Sequence, residues 1–158
     1  MPIIMRFLAV ALLGVPVFAA EIPGFDLWKA SELKKRDAAL SKTVGPDHSA
    51  RETLGEYNDH RLRFLYRDAD GLPEQHDNFV DVVFVQSGEG TLHLGGKMID
   101  SKGSTGSGEF LGTGIEGGEK HALSAGDVIH IPAKIPHRFL VPKGKHITYV
   151  LVKFPAAK

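Results

Sequence analysis

Four side chains in two separated segments have the types and spacing to hold a cation. Glu74 and His76 are two residues apart, so in an extended strand they project from the same face. Asp81 follows His76 by five residues, an odd separation that an unbroken strand would turn to the opposite face. Asp77-Asn78 supplies a turn or bulge between them, which resets the register and returns Asp81 to the same interior. Asp81 stands inside Phe79-Val80-Asp81-Val82-Val83-Phe84-Val85. A carboxylate buried in such a run is costly unless it is paired or coordinates a cation. The second segment, 126–137, is a strand and a proline-framed turn, with His137 at the start of the next strand. Pro136 restricts the backbone just before His137 and so helps to aim its imidazole. The two imidazoles and two carboxylates, Glu74, His76, Asp81 and His137, offer nitrogen and oxygen donors to a divalent ion. Cysteine is absent, which excludes thiolate ligands, cysteine nucleophiles and disulfides.

The elements that must position these residues are mostly strands. From residue 60 the apolar period is two: His60, Leu62, Phe64 and Tyr66 alternate with Arg61, Arg63, Leu65 and Arg67, a strand with one apolar face. The continuous apolar run 79–85 fits a strand covered on both sides. Further strands are expected at 91–94, 128–131, 137–141 and 146–154, with turns at 68–73 and 87–90. Residues 101–118, rich in glycine and serine, read as an elaborated loop, flexible or lid-like. Ahead of the strands, 25–44 reads as a helix with Leu27, Trp28, Leu33 and Leu40 on a loose apolar stripe, ended by Gly45-Pro46. Short strands with Gly and Pro punctuation behind one helix argue for an all-β sandwich or barrel.

The two donor segments resemble the paired motifs of the cupins, Gly-x5-His-x-His-x3-4-Glu-x6-Gly and Gly-x5-Pro-x-Gly-x2-His-x3-Asn. Glu74-x-His76-x4-Asp81-x6-Gly88 keeps the spacing of the first from its histidines onward. Gly126-x5-Pro132-x-Lys134-x2-His137 keeps that of the second. The resemblance runs over residues 60–154. It implies a double-stranded β-helix, or jelly-roll barrel, usually dimeric, with a divalent metal near its axis. It also implies that Glu74 and His76 take the places of the two metal histidines, Asp81 that of the usual glutamate, and His137 that of the second motif's histidine. Glutamate at 74 makes the donor set harder, which favours Mn, Fe(II), Zn or Ni over copper. Asp81 reaches one methylene less far, and is either a ligand or a partner that orients a histidine. Lys134 stands where the motif has its turn glycine, so a positive φ is not expected there, and Val141 replaces the final Asn.

Other features carry weaker readings. His130, in the strand before Pro132, is a candidate for the pocket and for a catalytic role. Glu74, if it does not ligate, is placed to be a general base. His60 and Tyr66 either line the cavity or fill it, and His121 sits near the expected barrel mouth. Gly112-Thr113-Gly114-Ile115-Glu116-Gly117 has the form GxGxxG but lacks the strand and helix of a dinucleotide site. Arg6 is the only charge before Glu21, and an apolar run at 7–18 ends in Val17-Phe18-Ala19, so residues 1–19 read as a cleaved signal peptide. The expected organisation is therefore a signal peptide at 1–19, a helix and connecting segment at 20–59, and a barrel at 60–158. After cleavage, 18 basic residues face 19 acidic ones, which offers no electrostatic case for nucleic acid or a membrane surface. The expectation is a periplasmic or secreted homodimer acting on a small molecule. Its reaction is of the dioxygenase, isomerase, decarboxylase or lyase type; the other reading is a module that only binds a ligand or metal.

Overall fold

The computed structural model describes residues 22–104 and 108–157, so the expected signal peptide lies outside it. Helix α1 (Ala30–Leu40) leads into β1 (Ser49–Glu56), β2 (Arg61–Arg67), β3 (Glu74–His76) and the long β4 (Phe79–Leu94). Four short strands follow, β5 (Lys97–Ile99), β6 (Lys102–Ser104), β7 (Glu109–Leu111) and β8 (Gly114–Glu116). Then come β9 (Glu119–Ser124), β10 (Val128–Ile131), β11 (His137–Leu140) and β12 (Ile147–Pro155).

Strand β4 belongs to two layers. Its first half pairs antiparallel with β12 on one side and β10 on the other, while its second half pairs with β11 and β9. The change falls at Gly88, whose φ is 74° and where a Cβ would collide with the His146 carbonyl oxygen. Glycine is the residue that tolerates both conditions. One layer thus contains β1, β2, β12, the start of β4 and β10; the other contains β9, the end of β4, β11, β3, β7 and β6. Between them lies an apolar core that includes Val83, Val85, Leu92, Ile131, Phe139, Ile147 and Tyr149. This is an all-β barrel, as the strand pattern led one to expect, and of the jelly-roll kind that the motif resemblance implied.

Three local readings change. The helix is shorter than 25–44: residues 25–29 run extended, with Asp26 accepting a hydrogen bond from Tyr57, and the Thr43 amide and hydroxyl close the other end on the Leu40 carbonyl. The connecting segment contains a full strand, β1, paired with β2 along its length. Its sequence shows no apolar alternation because only Ala50 and Leu54 meet the helix. The expected loop at 101–118 holds β6, β7 and β8, and β7 adds a strand beside β3.

Strand β2 presents the two faces that its alternation requires, but the apolar face points away from the barrel. Phe64 is fully buried with Leu40 and Ala50, and Leu33, Leu54, Tyr66 and Val150 complete this second cluster beneath α1. Asp37 of the helix accepts hydrogen bonds from Ser87 (2.6 Å) and from the buried Thr148 (2.7 Å), which latches α1 to its own barrel. The opposite face of β2, with Leu65 in the main core, carries Arg61, Arg63 and Arg67 inward.

Candidate metal centre

Each of the four donor residues is brought inward by a separate structural cause. Glu74 and His76 occupy the ends of β3 and share its inner face. A bend at Asp77-Asn78 separates β3 from β4, and Asp81 comes back to the same interior at 3 % exposure. His137 opens β11 with its Cα paired to that of Glu74. Pro136 ahead of it is buried and its carbonyl accepts the Gly95 amide at 2.8 Å. The backbone direction of His137 is therefore set on both sides.

Glu74, His76 and His137 offer donor atoms that all lie within 4.8 Å of one another. His76 Nε2 is 3.8 Å from Glu74 Oε2 and 3.3 Å from Asp81 Oδ2. His137 Nε2 is 3.6 Å from Glu74 Oε1 and 3.7 Å from Asp81 Oδ2. Ligand bonds of about 2.0–2.2 Å to one divalent ion set neighbouring donors roughly 3–3.5 Å apart, close to this spacing. The tautomers agree with it. His137 Nδ1–H donates to the Ile135 carbonyl at 2.9 Å, and a carbonyl can only accept, so in the neutral imidazole Nε2 carries the lone pair. That Nε2 is buried without a hydrogen-bond partner, as is Asp81 Oδ1. His76 Nδ1 meets the Glu109 carboxylate, the arrangement that fixes a ligating histidine and raises its basicity. The residues present fit a divalent ion.

Electrostatics separate the roles of the groups. Burial would raise the Glu74 carboxyl, but the close approach of the His137 imidazole and the nearby charges of His76 and Lys153 hold it at about 2. Such a carboxyl is a weak proton acceptor near neutrality, so Glu74 suits a ligand better than the general base expected as its second role. Burial lowers the His76 pKa, yet the Asp81 hydrogen bond and the carboxylates around it carry the net shift upward. Lys153, 11 % exposed, lies 3.7 Å from Asp81 and 3.6 Å from Glu109 and ties the two carboxylates together. Burial pushes the Tyr149 phenol up to about 12 despite the nearby Arg67 guanidinium, so its hydroxyl stays protonated.

The donors open onto a cavity of ≈ 90 Å³ in which Glu74, His76 and Asp81 share the lining with Phe139 and Tyr149. Arg51, Arg61, Arg63, Arg67 and Lys153 line it too, five cations against two carboxylates. The crowding acts on Arg63, whose pKa is lowered by burial and by the neighbouring Arg61 and Arg51.

Other expected residues fall elsewhere. His130 is exposed: Ile129 and Ile131 take the inner face of β10, so His130 and Val128 point outward, and the pocket and catalytic roles are withdrawn. Tyr66 lies under the helix and stacks on His146, while His60 stacks between Tyr57 and Phe154 at the edge of the barrel. His121 is at the surface, 3.2 Å from Glu119. Lys134 has φ 66°, so the turn keeps the left-handed conformation that its lysine was expected to avoid. Its amide donates to the His76 carbonyl at 2.8 Å, which holds the turn in that shape. Glu109, Lys153 and the inward arginines had no part in the sequence reading. The alternation of β2 marked an arginine face, but nothing in the Gly/Ser-rich segment singled out Glu109.

No protein-family model matches the chain, and no curated protein matches it in sequence. Solved structures do. Pac13 from Streptomyces, described as a nucleoside dehydratase, superposes with a TM-score of 0.50 at 13% identity over 72% of this chain and 75% of its own. A variant of it was solved with uridine. A cupin-2 domain protein from Rhodospirillum rubrum gives a TM-score of 0.50 at 16% identity over 68% of this chain and 60% of its own. At these identities the likeness is one of fold, and the chain has the cupin fold.

Proposed function

We propose that this protein is a metal-dependent cupin enzyme acting on a small organic molecule. One observation carries the reading: both imidazoles commit Nδ1 to an acceptor and turn Nε2 toward Glu74 and Asp81, with His137 Nε2 buried and unpartnered. Glu74, His76 and His137 would hold the ion, with Asp81 as the fourth ligand or as the group that orients His76. Two nitrogens and one or two carboxylate oxygens suit Mn, Fe(II), Zn or Ni. When bound, such an ion supplies a Lewis acid for a substrate's oxygen atoms. The chain's own contribution is positioning. Glu109 and the Ile135 carbonyl hold the imidazoles, Lys153 balances the carboxylates, and Tyr149 offers a proton at Oη inside the cavity.

Dehydration, a lyase-type reaction, is one candidate because Pac13, described as a nucleoside dehydratase, shares this fold, while its identity to this chain is too low to assign a substrate. We also propose that the mature protein is periplasmic or secreted, on the signal-like residues 1–19, and that it is a homodimer, as the cupin resemblance implies. The test is elemental mass spectrometry of protein purified without chelators, beside His76→Ala and His137→Ala. About one equivalent of transition metal, lost in both variants, supports the reading. A folded wild type without metal sinks it. Tight metal binding with no turnover on any candidate substrate leaves the binding-module reading in its place.

A further inference from the structure

The metal donors do not account for the arginines. Arg61, Arg63 and Arg67 project from one face of β2 into the cavity, joined by Arg51 of β1, whose Cα pairs with that of Leu65. Arg51 is more than half exposed and meets Asp47 at 3.2 Å. Among the described residues, Arg61, Arg63 and Arg67 have no carboxylate within ion-pair distance, and the Nε atoms of Arg61 and Arg67 are buried without a hydrogen-bond partner. A structural role would supply partners, because half-buried guanidiniums side by side repel and lose hydration. The carboxylates in the cavity cannot serve, since Glu74 and Asp81 face the histidines. What the cluster lacks is an anion from outside.

We propose that the substrate is a small organic acid whose anionic oxygens, carboxylate or phosphate, are held by Arg61, Arg63 and Arg67. This deepens the metal-dependent reading and rests on it for the other end of the molecule, which faces Glu74, His76 and His137. Planar guanidinium forks suit both anions by paired N–H···O bonds. The Tyr149 hydroxyl, protonated and beside Arg67, adds a neutral donor on the same wall. Cations with no carboxylate facing them are then a stability cost kept for binding.

The test uses the full protein as purified, with metal content measured on every sample. Calorimetry with succinate, inorganic phosphate and succinamide, the uncharged counterpart of succinate, reads the site directly. At least one of the two anions binds and succinamide does not, and the tighter anion assigns carboxylate or phosphate. Binding weakens as salt is raised, and Arg63→Gln weakens it about tenfold or more with metal content unchanged. Arg63→Gln also raises the melting temperature of the ligand-free protein by relieving repulsion, an effect opposite to that of losing a structural arginine. Neither anion binding better than succinamide, or Arg63→Gln binding as wild type does, overturns the proposal. The two readings fail separately: wild type without metal that still binds an anion through Arg63 refutes the metal centre alone. Metal-replete protein indifferent to both anions refutes the anion site alone.

Discussion

Glu109→Gln isolates the partner that the structure adds to the metal centre. Glu109 meets the candidate donor set through His76, whose Nδ1 contacts its carboxylate, and it also lies 3.6 Å from Lys153. The amide keeps the shape and can still accept from Nδ1–H, but it removes the charge that makes His76 a more basic ligand. Losing such a partner costs about 10–100-fold in metal affinity. His76 is 5 % exposed but the Glu109 side chain is 40 % exposed, so water competes for the contact and the lower end applies. The expected loss is about tenfold, roughly 1.4 kcal/mol. Competition against a fluorescent chelator at fixed pH measures it. The control is Glu119→Gln, an exposed carboxylate that pairs, among the described residues, with the surface His121. The Glu109 variant should be weaker by about tenfold with an unchanged circular dichroism spectrum, and the Glu119 variant should match wild type. Equal affinity in all three proteins would refute the claim that Glu109 orients His76.

The remaining predictions concern strain and protons. Lys134→Gly relieves a left-handed lysine, worth about 1 kcal/mol, and should raise the melting temperature by roughly 3 °C without changing metal content. A fall would show that the lysine side chain contributes more than its backbone costs. The metal-free protein should gain stability from His76 below the ordinary histidine pKa and lose that gain as pH rises through the raised folded value. Metal binding needs the proton gone, so the rise in melting temperature on adding metal should shrink steadily from about pH 8 to about pH 5. A metal-dependent rise that stays constant across that window would count against His76 as a ligand. Glu74, held at about 2, remains ionised throughout it and contributes nothing to the trend.

Short-range arguments sufficed wherever residues lie on one strand or beside one turn. Period two put Glu74 and His76 on a common face, and the burial cost of a carboxylate in an apolar strand marked Asp81. Pro136 marked His137, and the strand rhythm with its glycines marked an all-β sandwich or barrel, which the motif resemblance narrowed to a jelly roll. Alternation also divided β2 into an apolar face and an arginine face, but it carries no sign. Which face looks inward depends on what covers the other, and here α1 docks on Leu62, Phe64 and Tyr66's side of the sheet, leaving the arginines to the cavity. His130 was misplaced for the same reason, since its parity could not be carried across the turn to His137. Lys134 keeps a left-handed backbone because the turn's bond to the His76 carbonyl outweighs a local preference. Glu109 reaches His76 only because β7 pairs with β3, a contact between residues 33 apart in the chain. Spacing along the chain therefore determined the candidate donors, while the partners that orient them and the charge of the cavity wall were decided by strand pairing and by the docking of the helix.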